Sequence, residues 1–183
     1  MDLSCVISCS FRHLEEIISL RVALIEVGVE VLAPKGSVVR GTAGVNGGVE
    51  RFQLLDEDKT NDPAMLMPAF MANILEADFH YAYFPNGRCG LSVAAEICWA
   101  MYHGIPSIWS ARPRTFSAEV YPDFVRTLID FEPDGMLQPA DLVERIKTGR
   151  ITEALIREKK RRLQGFLSLF QPVLGPLKFQ RVV

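Results

Sequence analysis

Histidine is scarce in this chain of 183 residues, occurring only at His13, His80 and His103, and cysteine occurs only at Cys5, Cys9, Cys89 and Cys98. The cysteines form no CxxC pair and the histidines stand at no ligand spacing. Neither a metal site nor a disulfide scaffold is therefore expected, and no cofactor motif is present. An excess of basic charge is also missing: 20 Lys and Arg against 22 Asp and Glu leave a net charge of −2 and a pI near 5.9. Nucleic-acid binding thus has no compositional support. The opening Met-Asp-Leu-Ser-Cys lacks the basic region and long apolar core of a secretory signal. No uninterrupted apolar run approaches the roughly 18 residues of a membrane span. The expectation is a cytoplasmic protein with reduced cysteines and neither a membrane nor a nucleic-acid partner.

At 49% hydrophobic residues the chain can build a proper core. Leu3 to Cys9 is short, apolar and β-branched at its centre, and reads as a strand. Leu14, Ile17, Leu20, Leu24 and Val27 then step by three or four, and Gly28 supplies a helix stop. Val29 to Ala33, closed by Pro34, is a second strand. A β-α-β opening of this kind favours a parallel sheet with helices on both faces. Residues 35–62 are punctuated by Gly36, Gly41, Gly44, Gly47 and Gly48 and end in a charged stretch. They are read as a long loop or a flap over a ligand site.

Asp62 and Pro63 suit a helix cap and first residue, while Pro68 predicts that the regular helix runs from there to about Ala77. Phe79 to Phe84 is a third strand, Ile105 to Trp109 a fourth and Phe124 to Phe131 a fifth. Ala140 to Lys147 makes a short helix. Ile151, Leu155, Leu163, Phe166, Leu167 and Phe170 give the last helix a broad apolar face around the charged run Arg157 to Arg162, which is read as solvated. The reading is a Rossmann- or flavodoxin-like three-layer fold with a five-stranded, mostly parallel sheet of order 2-1-3-4-5. It assigns residues 1–149 to the α/β domain and 150–183 to a C-terminal helix and extended tail, for packing or an oligomer contact.

The chain is organised around the stretch from Asn86 to Gly104. A strand leads into a turn with Gly87 and Gly90, and a helix is expected to open near Ser92. Such a turn gathers free backbone N–H groups at the positive end of a helix dipole, a place for an anion or polar ligand. Glu96 sits about one turn inside that helix. In the order 2-1-3-4-5 a ligand crevice lies between the first and third strands. Its flanking loops are Ser8-Cys-Ser10-Phe11-Arg12 and Pro85 to Ser92. Small hydroxyls, amides and one arginine suit a phosphate or a sugar hydroxyl. A cation at the start of a helix is disfavoured on its own account, which points Arg12 toward a ligand. The plainer reading is a tight turn with Glu96 on a solvated face.

The run Gly87-Arg-Cys-Gly90-Leu-Ser92-Val-Ala-Ala-Glu96-Ile97, with Ala100, Gly104, Ile105 and Pro106, resembles the nucleoside 2-deoxyribosyltransferase superfamily. Ile74-Leu-Glu-Ala-Asp78 looks like its I-x-x-A-D lead-in. Ser10-Phe11-Arg12 is similar to the Ser-Ile-Arg segment of the 2′-deoxynucleoside 5′-phosphate N-hydrolase branch. The resemblance covers about residues 3–110. It implies that Glu96 is the nucleophile of a retaining glycosyl transfer, with Ser8, Ser10, Phe11, Arg12, Gly87, Gly90 and Ser92 around a small-molecule nucleoside or nucleotide. It also implies a homodimer or higher homo-oligomer. The chain departs from the family at three places: Phe70 replaces an acidic residue that handles the base, Cys98 replaces a glycine and Ile105 replaces a lysine. Asp56, Asp58 or Asp62 is the expected substitute acid. Phe70 favours an alternative, a non-catalytic nucleotide- or nucleotide-sugar-binding protein on the same fold. A third reading, a cytokinin-activating phosphoribohydrolase of the lysine-decarboxylase-like type, lacks its Pro-Gly-Gly-x-Gly-Thr turn here.

Overall fold

A computed structural model describes residues 3–36, 39–44, 51–55, 62–111 and 136–168. Strands β1 (Leu3–Cys9), β2 (Val29–Ala33), β5 (Phe79–Tyr83) and β6 (Ser107–Trp109) form a parallel sheet ordered β2-β1-β5-β6. Counted within that sheet alone, the order is 2-1-3-4. The expected fifth strand, Phe124 to Phe131, falls outside the described residues. On the free side of β6, Met136 makes a parallel bridge with Trp109, and the Leu137 N–H donates to the Trp109 carbonyl at 2.7 Å.

Because side chains alternate along a strand, the sheet has two chemically distinct faces. On one, Cys5, Ile7, Val29, Val31, Phe79, Tyr81 and Ile108 pack with Ile17, Leu20 and Leu24 of α1 (Leu14–Glu26). Leu142 and Ile146 of α4 (Pro139–Lys147) join the same cluster, as does Ile156 of α5 (Glu153–Ser168). Each fully buried aliphatic side chain contributes about 1.5–3 kcal/mol of transfer free energy. The other face packs against α2 (Pro63–Glu76) and α3 (Leu91–Tyr102). There Val6 and Ala33 meet Ile74 and Ala100, while Ala82 and Trp109 meet Val93, Ile97 and Met101, with Leu163 of α5 beside them. Of the expected apolar face of α5, Ile151 and Leu163 are buried and Phe166 and Leu167 pack against the Leu163 cluster, but Ile156 is buried in the place expected for Leu155, which is exposed.

Two expectations require correction. Residues 35–62 contain an antiparallel pair, β3 (Val39–Gly44) with β4 (Arg51–Leu55), joining Thr42 to Gln53 and Gly44 to Arg51. The glycines that argued for a loop are depleted from strands, and cross-strand pairing overrode that local preference. Helix α2 starts at Pro63, not Pro68. The Asp62 carbonyl accepts from the N–H groups of Met65 (3.0 Å) and Leu66 (3.2 Å), so Pro68 lies inside an already nucleated helix and removes a single donor. Helix α3 opens at Leu91, next to Ser92 as expected, with Gly90 as its N-cap. Its end follows the expected pattern: Gly104, at φ +75°, is the left-handed residue after the last turn.

Asp78 of the I-x-x-A-D segment has a visible structural task. Its Oδ2 accepts from the Ser4 N–H at 2.8 Å and the Ser4 hydroxyl at 2.9 Å. Its own N–H donates to the Ser4 carbonyl at 3.1 Å, so the start of β5 is clamped to the start of β1. Among the described residues, no helix is long and apolar enough to cross a membrane, and no cluster of three or more His, Cys, Asp or Glu could hold a metal ion.

Candidate active site

The sheet grows outward from β1 in both directions, to β2 and to β5, so the winding reverses between β1 and β5. Crevices for ligands form at the carboxyl ends of the strands on either side of such a reversal. Here those ends are Cys9 and Tyr83, which pair in register. Glu96 shares a face of α3 with Val93, Ile97 and Ala100, all buried. The solvated-face reading of Glu96 therefore fails, since this carboxyl is only 7% exposed. The Ser8 side chain, one residue before the carboxyl end of the β1–β5 pair, lies beside this carboxyl. Burial pushes Glu96 from an ordinary 4.5 up to about 7, and the Ser8 hydroxyl opposes that rise.

Ser8 is itself fully buried, and its Oγ lies 2.6 Å from His80 Nε2. The other ring nitrogen, Nδ1, is 2.8 Å from Ser107 Oγ, which also accepts from the Trp109 indole N–H at 2.9 Å. Strand register explains the assembly. Val6 pairs with His80 and His80 with Ser107, which puts Ser8, His80 and Ser107 on one face of three adjacent strands. Burial drives His80 down to about 3, so its ring is neutral at physiological pH.

Around the mouth, the Cys9 thiol is raised to about 12 by burial first and then by Glu96 and Glu16. The Cys89 thiol is raised to about 12 by burial, then by Glu96 and Cys98. Both stay protonated and are poor nucleophiles. His13 stacks edge-on against Tyr83 at 5.6 Å and its Nδ1 lies 3.3 Å from Glu16 Oε1.

Of the residues singled out in the sequence, the structure thus brings Ser8 and Glu96 together. Ser10 is exposed just after β1, and its carbonyl accepts from the His13 N–H at 2.9 Å. Phe11 and Arg12 belong to the following 3-10 turn, Phe11–His13. Arg12 is exposed and lines a surface groove with Leu14, Glu15, Glu16 and Ser19, a lining that does not include Glu96. Gly87 is buried at φ +71°, next to Asn86 at φ +63°, a pair of left-handed residues that turns the chain between β5 and α3. Gly90 caps α3 without a side chain, so among the described residues no N-cap side chain satisfies the first amides of that helix, and Ser92 is exposed in its first turn. Phe70, in the place of the family acid, packs against Val6, Ile74 and Ile105 and belongs to the core. Asp62 is exposed at the start of α2, and Asp56 and Asp58 lie outside the described residues.

Sequence reasoning missed His80, Ser107 and Trp109. The available signal was a polar ring at the second position of an apolar strand, but its partners come from strands far away in the chain.

No family model matches the sequence, and no curated protein matches it either. Among solved structures, the fold is similar to that of CMP N-glycosidase BcmB from Clostridium botulinum. That match has 16% identity and a TM-score of 0.46, covering 79% of this chain and 98% of the other. It is also similar to a conserved protein from Enterococcus faecalis V583, at 16% identity and a TM-score of 0.44, covering 88% and 99%.

Proposed function

We propose that this protein cleaves or transfers the N-glycosidic bond of a (deoxy)nucleoside or nucleoside 5′-monophosphate, with Glu96 as the nucleophile. The observation that carries this reading is a buried glutamate beside Ser8, at the point where the sheet reverses its winding. Its ionised form attacks C1′ of the sugar as the C1′–N bond breaks and its electron pair leaves with the base. The carboxylate oxygen captures the oxocarbenium-like carbon as a glycosyl-enzyme. Water or a second base then attacks C1′ from the vacated face, breaks the ester and restores the carboxylate, the attacking group's proton passing to the departed base, with overall retention. The uncapped amides at the start of α3 are placed to bind an anionic group such as a 5′-phosphate. The setting is cytoplasmic and the ligand a free nucleoside or nucleotide.

Incubation with a panel of nucleosides and 5′-monophosphates, followed by chromatography of free base, tests the reading. Base release by the wild type and its loss by a factor of at least about a thousand in Glu96→Ala are expected, since no other nucleophile replaces the carboxylate. Tight binding without release, unchanged in the variant, supports the alternative of a non-catalytic nucleotide-binding protein and overturns the enzymatic one.

A further inference from the structure

We propose that Trp109, Ser107, His80 and Ser8 form a one-way hydrogen-bond relay that ends with the Ser8 hydroxyl hydrogen directed at Glu96, which makes Ser8 and His80 positioning residues for that carboxylate. The inference rests on the glycosidic reading only for its use in catalysis; the direction of the relay follows from donor and acceptor chemistry. An indole N–H can only donate, so Trp109 takes up a lone pair of Ser107 Oγ. If His80 Nδ1 also donated to Ser107, the Ser107 hydrogen would have no acceptor within the network. The arrangement in which every hydrogen is used has Ser107 donating to Nδ1 at 2.8 Å. A neutral ring then carries its hydrogen on Nε2 and donates it to Ser8 Oγ across 2.6 Å. The Ser8 hydrogen is left with Glu96 as its acceptor.

The opposite direction demands a proton on Glu96. In that arrangement the acid donates to Ser8, Ser8 donates to Nε2 and Nδ1–H turns toward Ser107, where it competes with the indole. The tautomer of His80 is thereby linked to the charge of Glu96. The other titratable groups around that carboxyl are the protonated thiols of Cys9 on β1 and Cys89 ahead of α3, with Glu16 and Cys98 beyond them. Among the described residues, the side chain that opposes the rise caused by burial is Ser8.

The titration midpoint of Glu96 can be read without substrate, from the side-chain carboxyl signals of protein labelled with carbon-13 glutamate and assigned against Glu96→Gln. The same variants are then followed by the pH profile of base release. Ser8→Ala is expected to move the Glu96 midpoint and the acidic limb upward together. The rate falls about tenfold on the acidic side of the wild-type midpoint. His80→Leu moves both in the same direction by a smaller amount, and His80→Gln, which keeps an N–H toward Ser8, restores them. Ser107→Ala makes the same comparison where His80→Leu does not fold. A purely structural role lowers stability and leaves the midpoint in place; an unmoved midpoint in folded Ser8→Ala, and in folded His80→Leu or Ser107→Ala, overturns the relay. A shifted midpoint in a protein that releases no base supports the relay and overturns the glycosidic reading alone.

Discussion

Glu96→Gln removes one buried carboxyl while preserving its shape, and the sign of its effect on stability can be worked out. Burial raises this group from 4.5 to about 7 in the folded protein. The folded state therefore holds the proton more tightly than the unfolded chain, and protonation stabilises the fold. That contribution is fully present below about pH 4.5 and is lost as the pH rises from there through about 7. Its size, from the separation of the two midpoints, is roughly 3 kcal/mol. A glutamine carries no such dependence. Urea unfolding of both proteins, across a series from about pH 4.5 to about pH 8, should show the variant gaining roughly 3 kcal/mol relative to the wild type, with an unchanged denaturant slope. The amide's own hydrogen bonds add a constant offset, and titrations elsewhere in the chain are common to both proteins, so only the slope of the difference counts. A difference that stays flat over this range would mean that the carboxyl is solvated and ordinary, which refutes the burial on which the site was built.

Two further substitutions probe the supports of the site. Asp78→Ala leaves the Ser4 N–H and hydroxyl without their carboxylate acceptor and should lower unfolding stability by about 1–3 kcal/mol. Asp78→Asn, which keeps an acceptor oxygen, should lose less in the same urea titration; equal losses would count against the clamp. Gly90→Ser places a capping hydroxyl at a position with extended backbone and open space for a Cβ. A gain of a few tenths of a kcal/mol is expected in thermal unfolding. Calorimetry should show weaker binding of nucleoside monophosphates and little change for nucleosides, because the new hydroxyl competes for the helix amides. Equal effects on both ligands would remove the phosphate from this end of α3.

The parts of this molecule that were legible in its sequence are those specified locally. The β1–α1–β2 opening follows from the spacing of Ile17, Leu20 and Leu24 and from Gly28, at φ +84°, just past the helix. Glu96 was legible as a carboxyl about one turn past the glycine turn, but its burial was not, since a solvated face fitted the sequence equally and its packing beside Val93, Ile97 and Ala100 is set by the sheet. The β3–β4 pair was not legible, since Gly41 and Gly44 point locally toward a turn and the pairing that opposes them lies across the chain. Pro68 misled for a related reason: helix breaking is a property of an isolated segment, and α2 is already held by the Asp62 carbonyl and its packed face. His80 shows the deepest limit. Alternation places it on the same side of its strand as Ala82, but its meeting with Ser8 and Ser107 depends on the register of two strand pairs.

The distribution of buried polarity argues that this register is under a functional constraint. Five buried side chains among the described residues are polar: Ser8, His80, Glu96, Ser107 and Ser110. Ser110 accepts from the Phe84 N–H at 2.8 Å and is explained by the backbone it satisfies. The other four belong to a single connected series that crosses three strands and ends at the one buried carboxyl. Packing alone would favour aliphatic residues at all four positions, since a well-packed apolar core is usually at least as stable as a satisfied buried polar network. A half-built network would be worse than either, because each orphaned group carries its full desolvation cost. Polar residues at these positions therefore make physical sense as a set, and the set has one member less buried than the rest. That member is Glu96, where raised proton affinity weakens the fold as the pH rises and the Ser8 hydroxyl limits the loss.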